Sequence, residues 1–323
     1  MYDFYLNYTL HSIKNRWEEL SPSEFVYLFD LLELYKAGEL SVGELRSRMV
    51  LRLMGITTVQ IKDIKQEERF AENIFHIQSH LDFIFRIEYD DKRFSSLSPA
   101  LRQRLARQEP DAGSVLPEER LAARFKRHYE IDSVFCSNLL PEINGVPGYQ
   151  IGNQSGVFST NLTTTQFCDA ITISDQFIQT GDKPLLNLLT AILYCSYPYK
   201  PTSIHQHTAL FCSVPDKMKE AVFFNFQSVL MFIYTKTKYR VLWGRSENKK
   251  TSPYNSGLAG SILAMAKKYG GLREVGHSGL IDFLEMMLDS LTDYIRELAA
   301  MDKTPIEIAN KTKLDVLTIN ELL

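Results

Sequence analysis

Apolar and polar residues alternate along the first ten positions, with Tyr2, Phe4, Leu6, Tyr8 and Leu10 on one side of the chain and Asp3, Tyr5, Asn7 and Thr9 on the other. A period of two predicts a half-buried strand, and a single strand has to find its partner in a later segment. The period changes at Leu20-Ser21-Pro22-Ser23-Glu24-Phe25. Ser21 fits an N-cap, Pro22 the first helical position and Glu24 the third, which spells a capping box, while Leu20 and Phe25 stand where a hydrophobic staple places its two apolar residues. Phe25, Leu28, Phe29, Leu32 and Tyr35 continue at helical spacing as far as Gly38, predicting a helix over 21–37. A short helix over 41–54 and a long one over 58–88 follow, the latter from Ile61, Ile64, Phe70, Ile74, Ile77, Leu81, Ile84 and Phe85 with no Gly or Pro among them.

The same grammar returns in the second half. Leu162-Thr163-Thr164-Thr165-Gln166-Phe167 matches Leu20 to Phe25 in its staple residue, hydroxyl cap, Glu or Gln at the third helical position and Phe at the fourth. Ile171 and Phe177 stand where Phe29 and Tyr35 stood, and Gly181 follows as Gly38 did. Leu185, Leu189 and Leu193 predict a helix over 184–195, and an apolar run predicts a long helix over 215–235. The expectation is an internal duplication of a capped helix, a short helix and a long helix; the competing reading is that two common helix openings coincide.

Between the copies, Arg107 to Glu118 mixes Pro, Gly, Ser and charge and reads as an exposed linker, which divides the chain into 1–115 and 116–323. Asn144-Gly145 and Pro147-Gly148 predict a hairpin or ordered loop over 141–160. Tyr239 to Trp243 reads as another strand, and these pieces are candidate partners for the N-terminal strand. Helices are expected over 257–269 and 278–300, and Thr304-Pro305-Ile306-Glu307 opens a last short one with the same cap. The fold class is therefore mainly α with a minor β component: two related helical units and a C-terminal helical extension.

Composition agrees with this. In 323 residues, hydrophobic side chains make up 45% and charged ones 23%, values of a folded globular chain. Gly 16 and Pro 12 are too few for a turn-rich β-sandwich. Lys and Arg number 36 against 39 Asp and Glu, so a formal charge of −3 supplies no global field for a polyanion. The start of the chain has no basic region followed by an apolar run, and the most apolar stretch, Ala221 to Tyr234, is interrupted by Asn225, Gln227 and Ser228. No membrane association and a cytoplasmic location are expected. Cys136, Cys168, Cys195 and Cys212 form no C-x-x-C pair and read as reduced thiols.

Four groups of residues carry candidate chemistry. Cys195, His205, His207 and Cys212 lie within eighteen residues, and in an extended segment the two imidazoles would share a face and suit a metal. The spacing matches no common zinc pattern, so the adopted reading is surface imidazoles beside core thiols. Cys168 lies one turn inside a helix, where the dipole lowers a thiol pKa, yet no histidine is near it in sequence; buried packing is the adopted reading. Asp282, Glu285, Asp289 and Asp293 make an acidic stripe, read as a solvated face with an acidic docking face as its rival. Lys236, Lys238, Arg240, Arg245, Lys249 and Lys250 against Glu247 alone give +5 over 236–250, with Tyr239 and Trp243 interleaved. That is the composition of a contact for an acidic protein surface or a nucleic acid. No phosphate-binding, dinucleotide-binding, zinc-protease or nucleophile-elbow motif occurs, and no cofactor is expected.

Trp17-x-x-Leu20-Ser21-x-x-Glu24-Phe25, Thr163-x-x-Gln166-Phe167, the Thr180-Gly181-Asp182 turn and Leu189-x-x-x-Leu193-Tyr194 together resemble helical proteins of phage and prophage structural cassettes, some regarded as tail-assembly chaperones. These are helix-capping patterns over two stretches, and no functional residue transfers from them. The resemblance implies a non-enzymatic factor that binds protein partners during assembly, cytoplasmic or carried in a virion. A nucleic-acid-associated helical protein using 236–250 is the first alternative, and a metal-dependent enzyme the second.

Overall fold

The computed structural model describes residues 1–6, 9–56, 64–195, 199–243, 265–266, 268 and 271–323. It is mainly α with a minor β component. The chain forms two compact units, Met1–Ser133 and Val134–Leu323, so the division falls at 133/134 and not at 115/116.

In the first unit the N-terminal alternation proves to be a hairpin. β1 (Tyr2–Leu6) pairs antiparallel with β2 (Thr9–Ile13), Tyr2 opposite Ile13 and Leu6 opposite Thr9. The expected single strand with a distant partner is thus corrected: the partner is the adjoining segment Thr9–Ile13, into which the apolar alternation runs without a Gly or Pro to mark a break. α1 (Pro22–Lys36) and α2 (Val42–Leu53) each open on a complete capping box, Ser21 with Glu24 and Ser41 with Glu44. Of the helix predicted over 58–88, residues 58–63 lie outside the described residues, and the rest ends early. α3 (Ile64–Gln78) ends at Gln78, and β3 (Phe85–Tyr89) pairs with β4 (Arg127–Ile131). The end of that run, with Phe85 and Ile87 buried and Arg86 exposed, has the period of a strand, and the long-range partner 127–131 decides the matter. Trp17 lies against Phe25 and Phe83 and donates its indole N–H to Asp132 O at 2.8 Å.

The expected linker is folded into this unit. α4 (Pro99–Leu105) and α5 (Pro117–Ala122) share a core of Leu97, Leu101, Leu105, Ala122 and Phe125. Between them Glu119 accepts from Arg104 at 2.7 Å, the Ser114 hydroxyl at 2.8 Å and the Asp111 N–H at 3.2 Å.

The second unit begins with two tight hairpins, β5 (Glu142–Ile143) with β6 (Val146–Pro147) and β7 (Ile151–Gln154) with β8 (Val157–Thr160). Both turn on a pair of positive-φ residues, Asn144-Gly145 and Ser155-Gly156. α6 (Thr164–Thr180), α7 (Pro184–Leu193), the short α8 (Ile204–Thr208) and α9 (Asp216–Lys236) follow, then α10 (Leu272–His277), α11 (Leu280–Ala300), α12 (Pro305–Thr312) and α13 (Val316–Leu322). Of the helix expected over 257–269, residues 257–264, 267 and 269 lie outside the described residues.

The two related openings agree in part. Ser21 and Thr163 both cap, Phe25 and Phe167 are both fully buried, α1 packs on α2 and α2 on α3, as α6 packs on α7 and α7 on α9. They differ at the third helical position. Glu24 reaches back to the Ser21 N–H, whereas the Gln166 amide turns inward and donates to Ile192 O at 2.8 Å.

Candidate functional site

The segment 236–243 sits where α9, the β7–β8 hairpin and α11 meet. Lys238–Trp243 is a 3-10 helix rather than the strand its β-favouring residues suggested. Its cause is local: α9 ends at Lys236, and the Thr237 hydroxyl donates to Ile233 O at 2.6 Å while accepting from the Tyr239 N–H at 3.2 Å, which turns the chain at once. Tyr239 is buried under the edge of Phe158.

The acidic stripe and the basic segment, which the sequence presents as separate surfaces, meet at one residue of the stripe, Glu285. Glu285 accepts from the Tyr239 hydroxyl at 2.8 Å and pairs with Lys238 at 2.5 Å. Burial works against the Glu285 carboxylate, but the bonds from Lys238 and Tyr239 outweigh it and hold its pKa below the usual value. Burial, then the Glu285 bond, pushes the Tyr239 phenol up. Asp293 meets Lys268 at 3.2 Å, and Arg240 reaches Glu321 at 3.9 Å. Trp243 packs on Tyr234, with ring centroids 4.5 Å apart. Arg245, Lys249 and Lys250 lie outside the described residues.

Beside this network opens a cleft of about 390 Å³, with Val157, Phe158, Phe232 and Ile281 as its apolar wall and Lys236 and Lys238 at its lip. Val157 is 69% exposed, the rest of the apolar wall being half-buried. A second cleft, about 610 Å³, separates the 3-10 segment from α13 and is lined by Tyr234, Arg240, Val241, Leu314, Leu317 and Glu321.

The other candidates do not converge. His205 and His207 lie on α8, where residues two apart diverge by about 200°, so the shared face expected of an extended segment does not form. Cys195 follows α7 and takes a weak contact from the Gln166 amide at 3.5 Å, and Cys212 is exposed rather than in the core. Among the described residues no three His, Cys, Asp or Glu side chains gather as a metal site needs. Burial raises the Cys168 thiol to about 12 and the Cys195 thiol to about 11, so neither is a thiolate near neutral pH. The helix dipole at Cys168 is outweighed by desolvation and by the neighbouring Asp169. No described helix is long and apolar enough to cross a membrane.

Sequence reasoning missed α13 and the small core it completes with α11 and α12, built from Ile295, Leu298, Ile308, Leu314 and Ile319. The signal was present in Asp315-x-x-Thr318, where Asp315 caps the helix by accepting from the Thr318 N–H at 2.9 Å. Comparison with protein-family models, curated proteins and solved structures finds no match for this chain.

Proposed function

We propose that this protein is a non-enzymatic binding factor that grips a segment of another polypeptide during assembly of a larger protein structure, and that the 390 Å³ cleft is where it does so. One observation carries the reading: Val157, Phe158, Phe232 and Ile281 face a common space whose lip holds Lys236 and Lys238. An apolar floor inside a charged rim is the anatomy of a protein-recognition site. Two aliphatic anchors buried there contribute roughly 3–6 kcal/mol before association entropy, which suits a transient grip on a chain in transit. Lys238 is already held by Glu285, so Lys236 is the cation that orients an acidic flank of the guest. The resemblance to structural-cassette helical proteins supports the assembly role.

The test is co-purification of the tagged full-length protein from its native host, compared with Val157→Asp. A companion polypeptide retained by the wild type and lost from the variant, with circular dichroism and melting temperature unchanged, is the expected result. Companions that bind both forms equally would remove the cleft from the account.

A further inference from the structure

Two histidines of the first unit stand together where α3 ends. His76 belongs to the last turn of α3, and His80 follows one turn later, its N–H donating to Ile77 O at 3.1 Å. Residues four apart on one helical course lie on the same side, and the two imidazoles meet with ring centroids 5.2 Å apart and planes at 84°. Two histidines at this spacing are also the zinc-binding pair of a metalloprotease helix. Buried Ile77 stands here where that motif carries its glutamate, so the pair has the ligands of such a helix without its base.

The separation is the one a shared ion demands. A Zn–N bond of about 2.0–2.1 Å, with about 1.1 Å more from nitrogen to ring centre, puts each centroid about 3.2 Å from the ion. At a tetrahedral angle of about 109°, two such rings have their centroids about 5.2 Å apart.

The rings divide the work of a ligand pair. His80 is half-buried and stacks on Tyr2 of β1, with centroids 3.8 Å apart and planes at 15°. Its Nε2 is buried and meets no hydrogen-bond partner among the described residues, whereas a buried ring nitrogen ordinarily has one. His76 is exposed, and its ring can turn to offer either nitrogen. Burial, then His76, pushes the His80 imidazole below its ordinary pKa and keeps it in the neutral form that binds metal. Asp82 pulls the other way, and its negative charge favours a cation beside the ring.

We propose that His76 and His80 form a site for one divalent ion of the Zn²⁺, Ni²⁺ and Cu²⁺ class, with water in the remaining positions. Two protein ligands are fewer than a resident structural metal takes, so the ion is exchangeable and its occupancy follows the free metal concentration. Fixing His80 also fixes the Tyr2 ring stacked on it, so the bound ion fastens the β1–β2 hairpin to the end of α3. The site does not rest on the cleft assigned to a polypeptide.

Isothermal titration of the untagged full-length protein, first stripped with a chelator, tests it with Zn²⁺, Ni²⁺, Cu²⁺ and Mg²⁺ in turn. Cu²⁺ should bind this pair most tightly and Mg²⁺ not at all, and Zn²⁺ should raise the melting temperature. His76→Ala and His80→Ala should each weaken Zn²⁺ binding by about tenfold or more, and Tyr2→Ala by a smaller factor. The double variant His205→Ala with His207→Ala should bind as the wild type does. Electron paramagnetic resonance of the Cu²⁺ form should show two coupled imidazole nitrogens in the wild type and one in His76→Ala. Because His76 is exposed, that variant decides the matter even where His80→Ala fails to fold. Absence of Zn²⁺ binding, a Mg²⁺ response equal to that of Zn²⁺, affinity indifferent to His76→Ala, or binding lost with His205 and His207 would each overturn the proposal.

Discussion

Asn225 is 1% exposed in the middle of α9, yet both ends of its amide are satisfied by a distant loop. Its Oδ1 accepts from the Leu139 N–H and its Nδ2 donates to Ser137 O, each at 2.7 Å. Two of the polar residues that break the apolar stretch of this helix are therefore tertiary fasteners, since Gln227 also reaches Ser174, whereas Ser228 is satisfied within the helix by Phe224 O. Asn225→Leu strands a buried N–H and its neighbouring carbonyl, and should lower stability by about 2–3 kcal/mol in urea unfolding; a loss below about 0.5 kcal/mol would contradict this account. The same reasoning explains why Gln166 could not be read from its position. A glutamine three residues after a hydroxyl cap is a capping-box pattern, but its amide is buried beside Ile192 O and satisfies that carbonyl instead. Sequence spacing says which atoms can meet locally and is silent on a stronger distant demand.

At the scale of elements, helix starts were the most legible feature. Ser21, Thr163 and Thr304 all cap as their spacing implied, because a cap is satisfied within four residues. Strands and short turns were less legible: Phe85–Tyr89 became β3 only through Arg127–Ile131, and Lys238–Trp243 became a 3-10 helix through Thr237. The 107–118 stretch belongs with these. Pro, Gly and charge suggested a linker, but Glu119 gathers Arg104, Ser114 and the Asp111 N–H and holds it as structure. Those bonds, Arg104 first, lower the Glu119 pKa from its ordinary value near 4.5. A depressed carboxylate stabilises above its unfolded pKa and loses that contribution as pH falls through its folded value. Glu119→Gln should therefore cost stability by a constant amount at neutral and weakly acid pH. The difference from wild type should close below about pH 4.5, as measured by urea midpoints across the range.

The chain forms two compact units, and each carries one of the two tryptophans, Trp17 in the first and Trp243 in the second. For a chain of two compact units, two-state unfolding is not expected. Trp17→Phe and Trp243→Phe variants, each reporting on the remaining indole, should give urea midpoints that differ; coincident curves would show a single cooperative unit.

Charge also changes meaning at this scale. The acidic stripe and the basic segment are each a plausible docking face in isolation, and folding joins them through Lys238 to Glu285, leaving Lys236 at the mouth of the apolar cleft. The sequence by itself determined the α-rich class, the capped helix starts and the Asn144-Gly145 turn, since these depend on interactions within a few residues. The tertiary structure alone decided the unit boundary, the partners of β3 and Gln166, the cleft and the packing of α13, because each rests on contacts between segments whose separation along the chain no local pattern encodes.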